Sequence, residues 1–138
     1  MAVSLNAPLL RASLEIVVAR QPEITPRFYE ILFERYPQVK PLFGRNSSAN
    51  QARMLQDAIV AVVDHVEDAE WLTTTLHAMG RKHVDYGVTE PMYAYVGDAL
   101  LATLAEHAGE AWTADVAQAW ADAYTAISSL MIAGSRTA

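Results

Sequence analysis

Apolar residues recur along this chain at intervals of three and four positions, the spacing that places them on one face of an α-helix. The clearest stripe runs from Leu72 through Leu76 and Met79 to His83. No segment alternates between apolar and polar residues with the period of two that is typical of a half-buried strand. The pattern therefore predicts an all-α protein.

Prolines, glycines and capping residues divide this pattern into helices joined by short connections. The predicted segments are a helix from Asn6 to before Pro22, a helix capped by Thr25 with Pro26 at its first position, a short helical corner carrying Leu42 and Phe43, a helix from Ser48 to about Val66, a helix from Asp68 to about Gly87, a helix from Thr89 to Gly109 and a last helix from Thr113.

The composition is typical of one folded domain. The chain has 138 residues, of which 52% are hydrophobic and 19% are charged. A chain of this size can bury a substantial core, and its apolar content argues against disorder. We therefore expect a single domain over residues 1–138, with no room for a separate reductase, kinase or DNA-binding domain.

Charge and cysteine content exclude several function classes. The formal net charge of −6 disfavours a nucleic-acid surface, which needs clustered Lys and Arg. The absence of cysteine excludes disulfides and thiolate metal ligands. Arg11 and Glu15 interrupt the apolar runs near the N-terminus, so we expect neither a signal peptide nor a membrane span there. We therefore expect a cytoplasmic location.

His83 is the strongest candidate for chemistry, because its imidazole ends an apolar helical stripe. Such a residue is either a hydrogen-bonded core histidine or a ligand directed at something buried. The pattern alone favours the core histidine, but the surrounding sequence favours the ligand. Tyr29 lies in an aromatic run, Phe43 follows Pro41 and Leu42, Gln51 precedes Leu55 by one helical turn, and Tyr93 and Val96 follow His83.

The other histidines fit the role of a buried ligand less well. His65 lies near the end of its predicted helix among the acidic residues Asp64, Glu67 and Asp68. We therefore expect its side chain to be solvated.

This ordered set of Tyr29, Phe43, Gln51 and His83 resembles the bacterial single-domain globins and the haem domain of flavohaemoglobins. The resemblance extends from about Leu5 to Ile132. It implies a globin fold, a three-over-three helical sandwich around one non-covalently held haem b (iron protoporphyrin IX).

The resemblance implies that His83 is the proximal ligand of the haem iron. Its Nδ1–H then needs an acceptor, for which the carbonyl of Met79, one helical turn back, is the natural candidate. The other residues implied to contact the cofactor are Leu76 and Met79 beneath the porphyrin, Phe43 against its plane, Arg81 and Lys82 at the propionates, and Tyr93 and Val96.

On the distal side, the resemblance implies that Tyr29 and Gln51 point at the sixth position of the iron, with Leu55 as the apolar wall. Dioxygen bound to ferrous haem carries superoxide-like charge, so donors directed at it strengthen binding. Carbon monoxide gains little from the same donors. The alternative is that Tyr29 is a buried phenol bonded to a backbone carbonyl and Gln51 lies on a solvated face.

One position departs from the flavohaemoglobin pattern. Those proteins place a tyrosine and a C-terminal glutamate near the proximal histidine, which makes the imidazole more electron-donating. Tyr93 matches the tyrosine, but the glutamate position aligns with Ser135. We therefore expect a weak electronic push on the iron and weak peroxidase-like activity.

The first functional hypothesis is a haem protein that binds dioxygen tightly and reversibly, and that converts nitric oxide to nitrate with electrons from a separate reductase. The alternatives are oxygen storage or delivery to a terminal oxidase, gas sensing through a partner, and a helical protein without a cofactor. The expected small ligands are dioxygen, nitric oxide and carbon monoxide. The sequence leaves open whether the chain forms a homodimer.

Overall fold

The structure, a computed structural model, describes residues 6–21, 24–43, 48–85 and 87–136. It contains helices α1 (Ala7–Arg20), α2 (Thr25–Arg35), α3 (Ser48–Asp64), α4 (Ala69–Asp85), α5 (Glu90–Ala108) and α6 (Ala114–Ser135). Two 3₁₀ segments, Pro37–Phe43 and Gly109–Ala111, follow α2 and α5. No described residue lies in a strand, so the all-α prediction is confirmed.

Three predicted helix starts are confirmed by side chains that cap them. The Asn6 side chain accepts from the Leu9 amide at 3.3 Å, and that of Asp68 accepts from the Trp71 amide at 3.0 Å. The Thr113 hydroxyl accepts from the Val116 amide at 3.2 Å. Each bond satisfies a backbone donor that has no partner within its own helix.

Other predicted boundaries differ from the structure by one or two residues. Thr25 is the first residue of α2 rather than its cap, because the backbone of Ile24 is already helical and makes no side-chain capping bond. Ile24 and Thr25 are both buried, so tertiary packing sets this helix start. Helix α3 ends at Asp64 rather than Val66, and α4 ends at Asp85 rather than near Gly87.

Most of the core lies between α1, α2, α5 and α6, with α3 completing it. Its fully buried side chains include Leu10, Phe28, Leu32 and Leu104. Trp120 of α6 is also buried there, and its indole N–H donates to the Ser13 hydroxyl of α1 at 2.8 Å. We call the buried apolar cluster between α1, α2, α3, α5 and α6 the main core.

A second, smaller apolar cluster lies where α4 packs against α6 and is completed by α3 and α5. Its buried members are Val62, Leu72, Leu76, Tyr93 and Met131. Helix α4 packs more extensively against α6 than against any other described element, and α2 packs mainly against α5. The second cluster therefore anchors the helix that carries His83.

Within the described ranges, no helix combines the length and the apolar character that crossing a lipid bilayer requires.

Candidate functional site

His83 lies in the last turn of α4 and is half-buried. Its Nδ1 atom lies 2.7 Å from the carbonyl oxygen of Met79. Because a carbonyl only accepts hydrogen bonds, Nδ1 carries the proton in this contact, and in the neutral ring the lone pair is then on Nε2. The hydrogen bond to Met79 that the proximal-ligand role implies is thus present, and it selects the tautomer in which Nε2 is the nitrogen with metal-binding chemistry.

Tyr93 of α5 lies beside this imidazole. The two ring centroids are 6.3 Å apart and the ring planes are inclined by 28°. Tyr93 is buried, and its pKa is raised, first by that burial and then by the charge of Glu90. Its phenol therefore stays protonated at neutral pH and adds no negative charge next to His83.

The apolar residues expected beneath the cofactor belong to the second cluster. Leu76 is 1% exposed, and Met79 packs at the edge of the cluster. Tyr93 belongs to the same cluster and lies beside the His83 ring, so the cluster provides apolar surface near the imidazole. The structure therefore brings four of the predicted proximal residues together.

Three other predicted residues, Tyr29, Leu55 and Val96, pack elsewhere, against the main core. Tyr29 is half-buried, and its ring stacks on Phe33 with the centroids 5.7 Å apart. Leu55 of α3 and Val96 of α5 are half-buried against the same core. Desolvation raises the pKa of Tyr29, so its phenol remains a hydrogen-bond donor at neutral pH.

Four further predicted residues complete the sequence-derived set. Arg81 and Lys82 are exposed on α4, next to His83. The backbone of Phe43 belongs to the 3₁₀ segment after α2, and that of Gln51 belongs to α3. The side chains of Phe43 and Gln51 lie outside the described residues, so their predicted roles remain predictions.

Tyr124 of α6 supports this site and was not identified from the sequence. Its hydroxyl donates to the carbonyl oxygen of Tyr93 at 2.5 Å, and burial strongly raises its pKa. The ring packs directly on Gly97, where a Cβ atom would lie 2.4 Å from Cε2 of Tyr124. A glycine one turn after Tyr93 in an apolar helix was the signal for such a close approach.

Ser135 and His65 make local contacts. The Ser135 hydroxyl donates to the carbonyl of Ile132, within its own helix, at 2.6 Å. The sequence predicted a solvated His65, and this is wrong. His65 is half-buried and stacks on Trp71 with a centroid distance of 3.8 Å, while its Nδ1 contacts the Ala61 carbonyl at 2.8 Å.

Residues 26–131 match the sequence profile of the globin family. The chain belongs to the globin family. The all-α globin fold implied by the resemblance is therefore confirmed.

This globin is similar to proteins of two kinds. It is 33% identical over 126 residues to a flavohemoprotein of Chromobacterium violaceum, a match that covers 90% of this chain and 31% of the relative. Among solved structures, it is similar to an engineered carbene transferase derived from a candidate nitric oxide dioxygenase of Rhodothermus marinus, with a TM-score of 0.81 and 26% identity, covering 94% of this chain and 89% of the other.

A third similar protein is the flavohemoglobin of Malassezia yamatoensis, whose structure contains FAD and haem. It has a TM-score of 0.74 and 26% identity, over 99% of this chain and 37% of that protein. This globin thus spans about a third of the length of the flavohemoproteins that it matches.

The residues around His83 fit a haem. A porphyrin supplies the equatorial ligands of its iron, so the protein needs to provide one axial donor and an apolar surface. The Nδ1 contact of His83 with Met79 leaves a neutral Nε2 donor, and Leu76, Met79 and Tyr93 supply apolar surface beside it. The donor also has the acceptor partner that metal-binding histidines almost always have.

Proposed function

We propose that this globin holds haem b non-covalently through His83 and binds dioxygen tightly and reversibly. We further propose that it combines nitric oxide and dioxygen to nitrate when a separate reductase supplies one electron per turnover. The 2.7 Å contact from Nδ1 of His83 to the Met79 carbonyl carries the proposal, because it leaves Nε2 as the metal ligand. When bound, the haem supplies a ferrous iron that takes up diatomic gases.

On the proximal side, the chain's own residues orient the ligand. The Met79 carbonyl fixes the tautomer of His83 and increases the basicity of Nε2. Leu76 and Met79 provide the apolar surface beneath the cofactor, together with Tyr93. Exposed Arg81 and Lys82 pair with the propionates, and such pairs contribute about 0–1 kcal/mol each.

On the distal side, Tyr29 and Gln51 donate hydrogen bonds to the gas ligand, and Leu55 excludes water. A hydrogen bond to a charged acceptor contributes roughly 1.5–3 kcal/mol, about one to two powers of ten in affinity. The raised pKa of Tyr29 supports this role because the phenol keeps its proton. The pair therefore favours dioxygen over carbon monoxide.

The nitrate-forming reaction is favoured by the kinds of protein that this chain resembles. The Chromobacterium violaceum relative is a flavohemoprotein, and the engineered Rhodothermus marinus protein derives from a candidate nitric oxide dioxygenase. The role of Tyr29 and Gln51 in this reaction is to hold and orient dioxygen while nitric oxide approaches. We also propose that peroxidase-like activity is weak, because Ser135 aligns with the position where flavohaemoglobins have a glutamate. The Ser135 hydroxyl donates to the Ile132 carbonyl within α6.

The haem proposal is tested by reconstitution. The purified chain with added haem should show the Soret absorption band that is typical of haem proteins. His83→Ala should lose that band or shift it, because the axial donor is gone. His65→Ala is the matched control, since its Nδ1 also contacts a carbonyl one turn back, and it should leave the spectrum unchanged. An unaltered spectrum in His83→Ala would contradict the assignment of the ligand.

A second experiment separates nitric oxide conversion from oxygen storage. Ferric protein is mixed with extract of the source cells and NADH, and its return to the ferrous form is followed spectrophotometrically. Re-reduction fast enough to sustain nitric oxide consumption supports the enzymatic role. Rapid single-turnover nitrate formation with re-reduction too slow for a second cycle would contradict it and would favour oxygen storage or delivery.

A further inference from the structure

Helices α4 and α6 approach each other backbone to backbone at two glycines. A Cβ atom added to Gly80 of α4 would lie 1.9 Å from the carbonyl oxygen of Met131, and one added to Gly134 of α6 would lie 2.3 Å from that of His77. Contacts under 3.0 Å are essentially never made by real Cβ atoms. Any side chain at either position would therefore push the helices apart.

Lack of room, rather than backbone conformation, requires glycine at these positions. The described glycines with positive φ are Gly87 and Gly109, so Gly80 and Gly134 have ordinary helical backbones that alanine also adopts. Glycine inside a helix is less favourable than alanine, and the close packing of the two helices offsets that cost.

The two contacts fix α4 at two successive turns. His77 meets Gly134 and Gly80 meets Met131, so residue numbers rise along α4 as they fall along α6. Two such points restrict both the rotation of α4 about its axis and its sliding along α6. They lie in the half of α4 that carries His83.

Gly80 is linked directly to the hydrogen bond that orients His83. The peptide group that joins Met79 to Gly80 contains the carbonyl that accepts from His83 Nδ1 at 2.7 Å. One end of this peptide group is the Cα of Gly80, which contacts the Met131 backbone. Displacing Gly80 from α6 must therefore move or tilt the acceptor of the His83 bond.

We propose that Gly80 and Gly134 are positioning residues for the proximal imidazole. The contact with α6 holds the Met79 carbonyl in place, and that carbonyl sets the orientation and basicity of His83. This inference rests on the proposed haem ligation by His83. It gives α6 a role in tuning the iron that does not depend on a side chain near the haem.

The test compares ferrous haem-reconstituted Gly80→Ala with the wild-type chain by resonance Raman spectroscopy. A weaker Nδ1 hydrogen bond makes the imidazole a poorer donor, so the iron–histidine stretching frequency should fall and the midpoint potential should rise. Gly134→Ala acts one turn further from His83 and should shift both quantities in the same direction by less. If Gly80→Ala does not yield folded protein, Gly134→Ala is the test. A lower iron–histidine frequency in that variant supports the proposal, and an unchanged frequency contradicts it.

Ala119→Val is the control for general destabilisation. Ala119 is buried in the first half of α6, so a larger side chain there should lower thermal stability without moving the Raman band or the potential. Equal shifts in all three variants would overturn the proposal, as would unshifted bands in both glycine variants. A wild-type chain whose haem is not ligated by His83 would instead overturn the proposed function, and the reconstitution experiment detects that case separately.

Discussion

At the scale of single residues, the chemistry of this globin depends on which polar atoms already have partners inside the protein. In His83, Nδ1 lies against the Met79 carbonyl, and this contact selects the ring tautomer. The Tyr124 hydroxyl is engaged by the Tyr93 carbonyl, and the Ser135 hydroxyl by the Ile132 carbonyl. These local bonds determine which side chains can serve an external ligand.

Tyr29→Phe should accelerate dioxygen release, because it removes a donor from the ligand and leaves the ring packing on Phe33 intact. A loss of about 1.5–3 kcal/mol corresponds to an increase of roughly ten- to a hundredfold. The measurement is stopped-flow dissociation of dioxygen with carbon monoxide as the replacing ligand. Gln51→Ala, measured in the same way, shows how the two donors share the effect.

Tyr36→Phe is the matched control for the phenol. Tyr36 follows the same helix, and its hydroxyl donates to Asp98 at 3.1 Å, so its loss should leave dioxygen release unchanged. If neither Tyr29→Phe nor Gln51→Ala speeds release severalfold, the distal assignment is wrong.

At the scale of helices, the structure separates what local sequence determines from what packing determines. Asn6, Asp68 and Thr113 were predicted as helix starts, and this could be done locally because a cap needs only a side-chain acceptor next to its own helix. Thr25 was predicted in the same way and is instead inside α2. Its burial, with that of Ile24, depends on residues distant in sequence, which no local pattern reports.

The pairing of α1 with α6 gives a stability prediction at this scale. Trp120 donates to the Ser13 hydroxyl, and both side chains are at least 95% buried. Ser13→Ala should lower the free energy of unfolding by about 1–3 kcal/mol, because it leaves the buried indole N–H without a partner. Urea denaturation of the reconstituted protein measures the change.

A double-mutant cycle isolates that hydrogen bond from the packing around it. Trp120→Phe removes the N–H, so Ser13→Ala should have a much smaller effect in the Trp120→Phe background than in the wild type. Equal effects in both backgrounds would show that the hydrogen bond contributes nothing measurable to stability.

At the scale of the whole molecule, the globin fold could be predicted from the sequence, because the order of its key residues resembles that family. The contacts between helices could not. The apolar stripe ending at His83 was sufficient to predict its helix. The Met79 acceptor followed once the resemblance implied a proximal ligand, because the two residues are one helical turn apart. The stacking of His65 on Trp71 depends on how the chain turns between α3 and α4. The approach of Gly80 to Met131 and of Gly134 to His77 depends on which helices pair.

The whole molecule also raises the question of electron supply. This chain spans about a third of the flavohemoproteins that it matches, so the similarity leaves the remaining two thirds of those proteins uncovered. For the proposed nitric oxide conversion, the measured rate at which ferric haem returns to the ferrous form is the quantity that separates this function from oxygen storage.

The Gly80–Gly134 crossing has a consequence for reading related sequences. A larger amino acid at either position requires a greater distance between α4 and α6. At that greater distance, the other position no longer needs to be glycine. The two positions should therefore covary in an alignment of homologues, with small residues retained or lost as a pair.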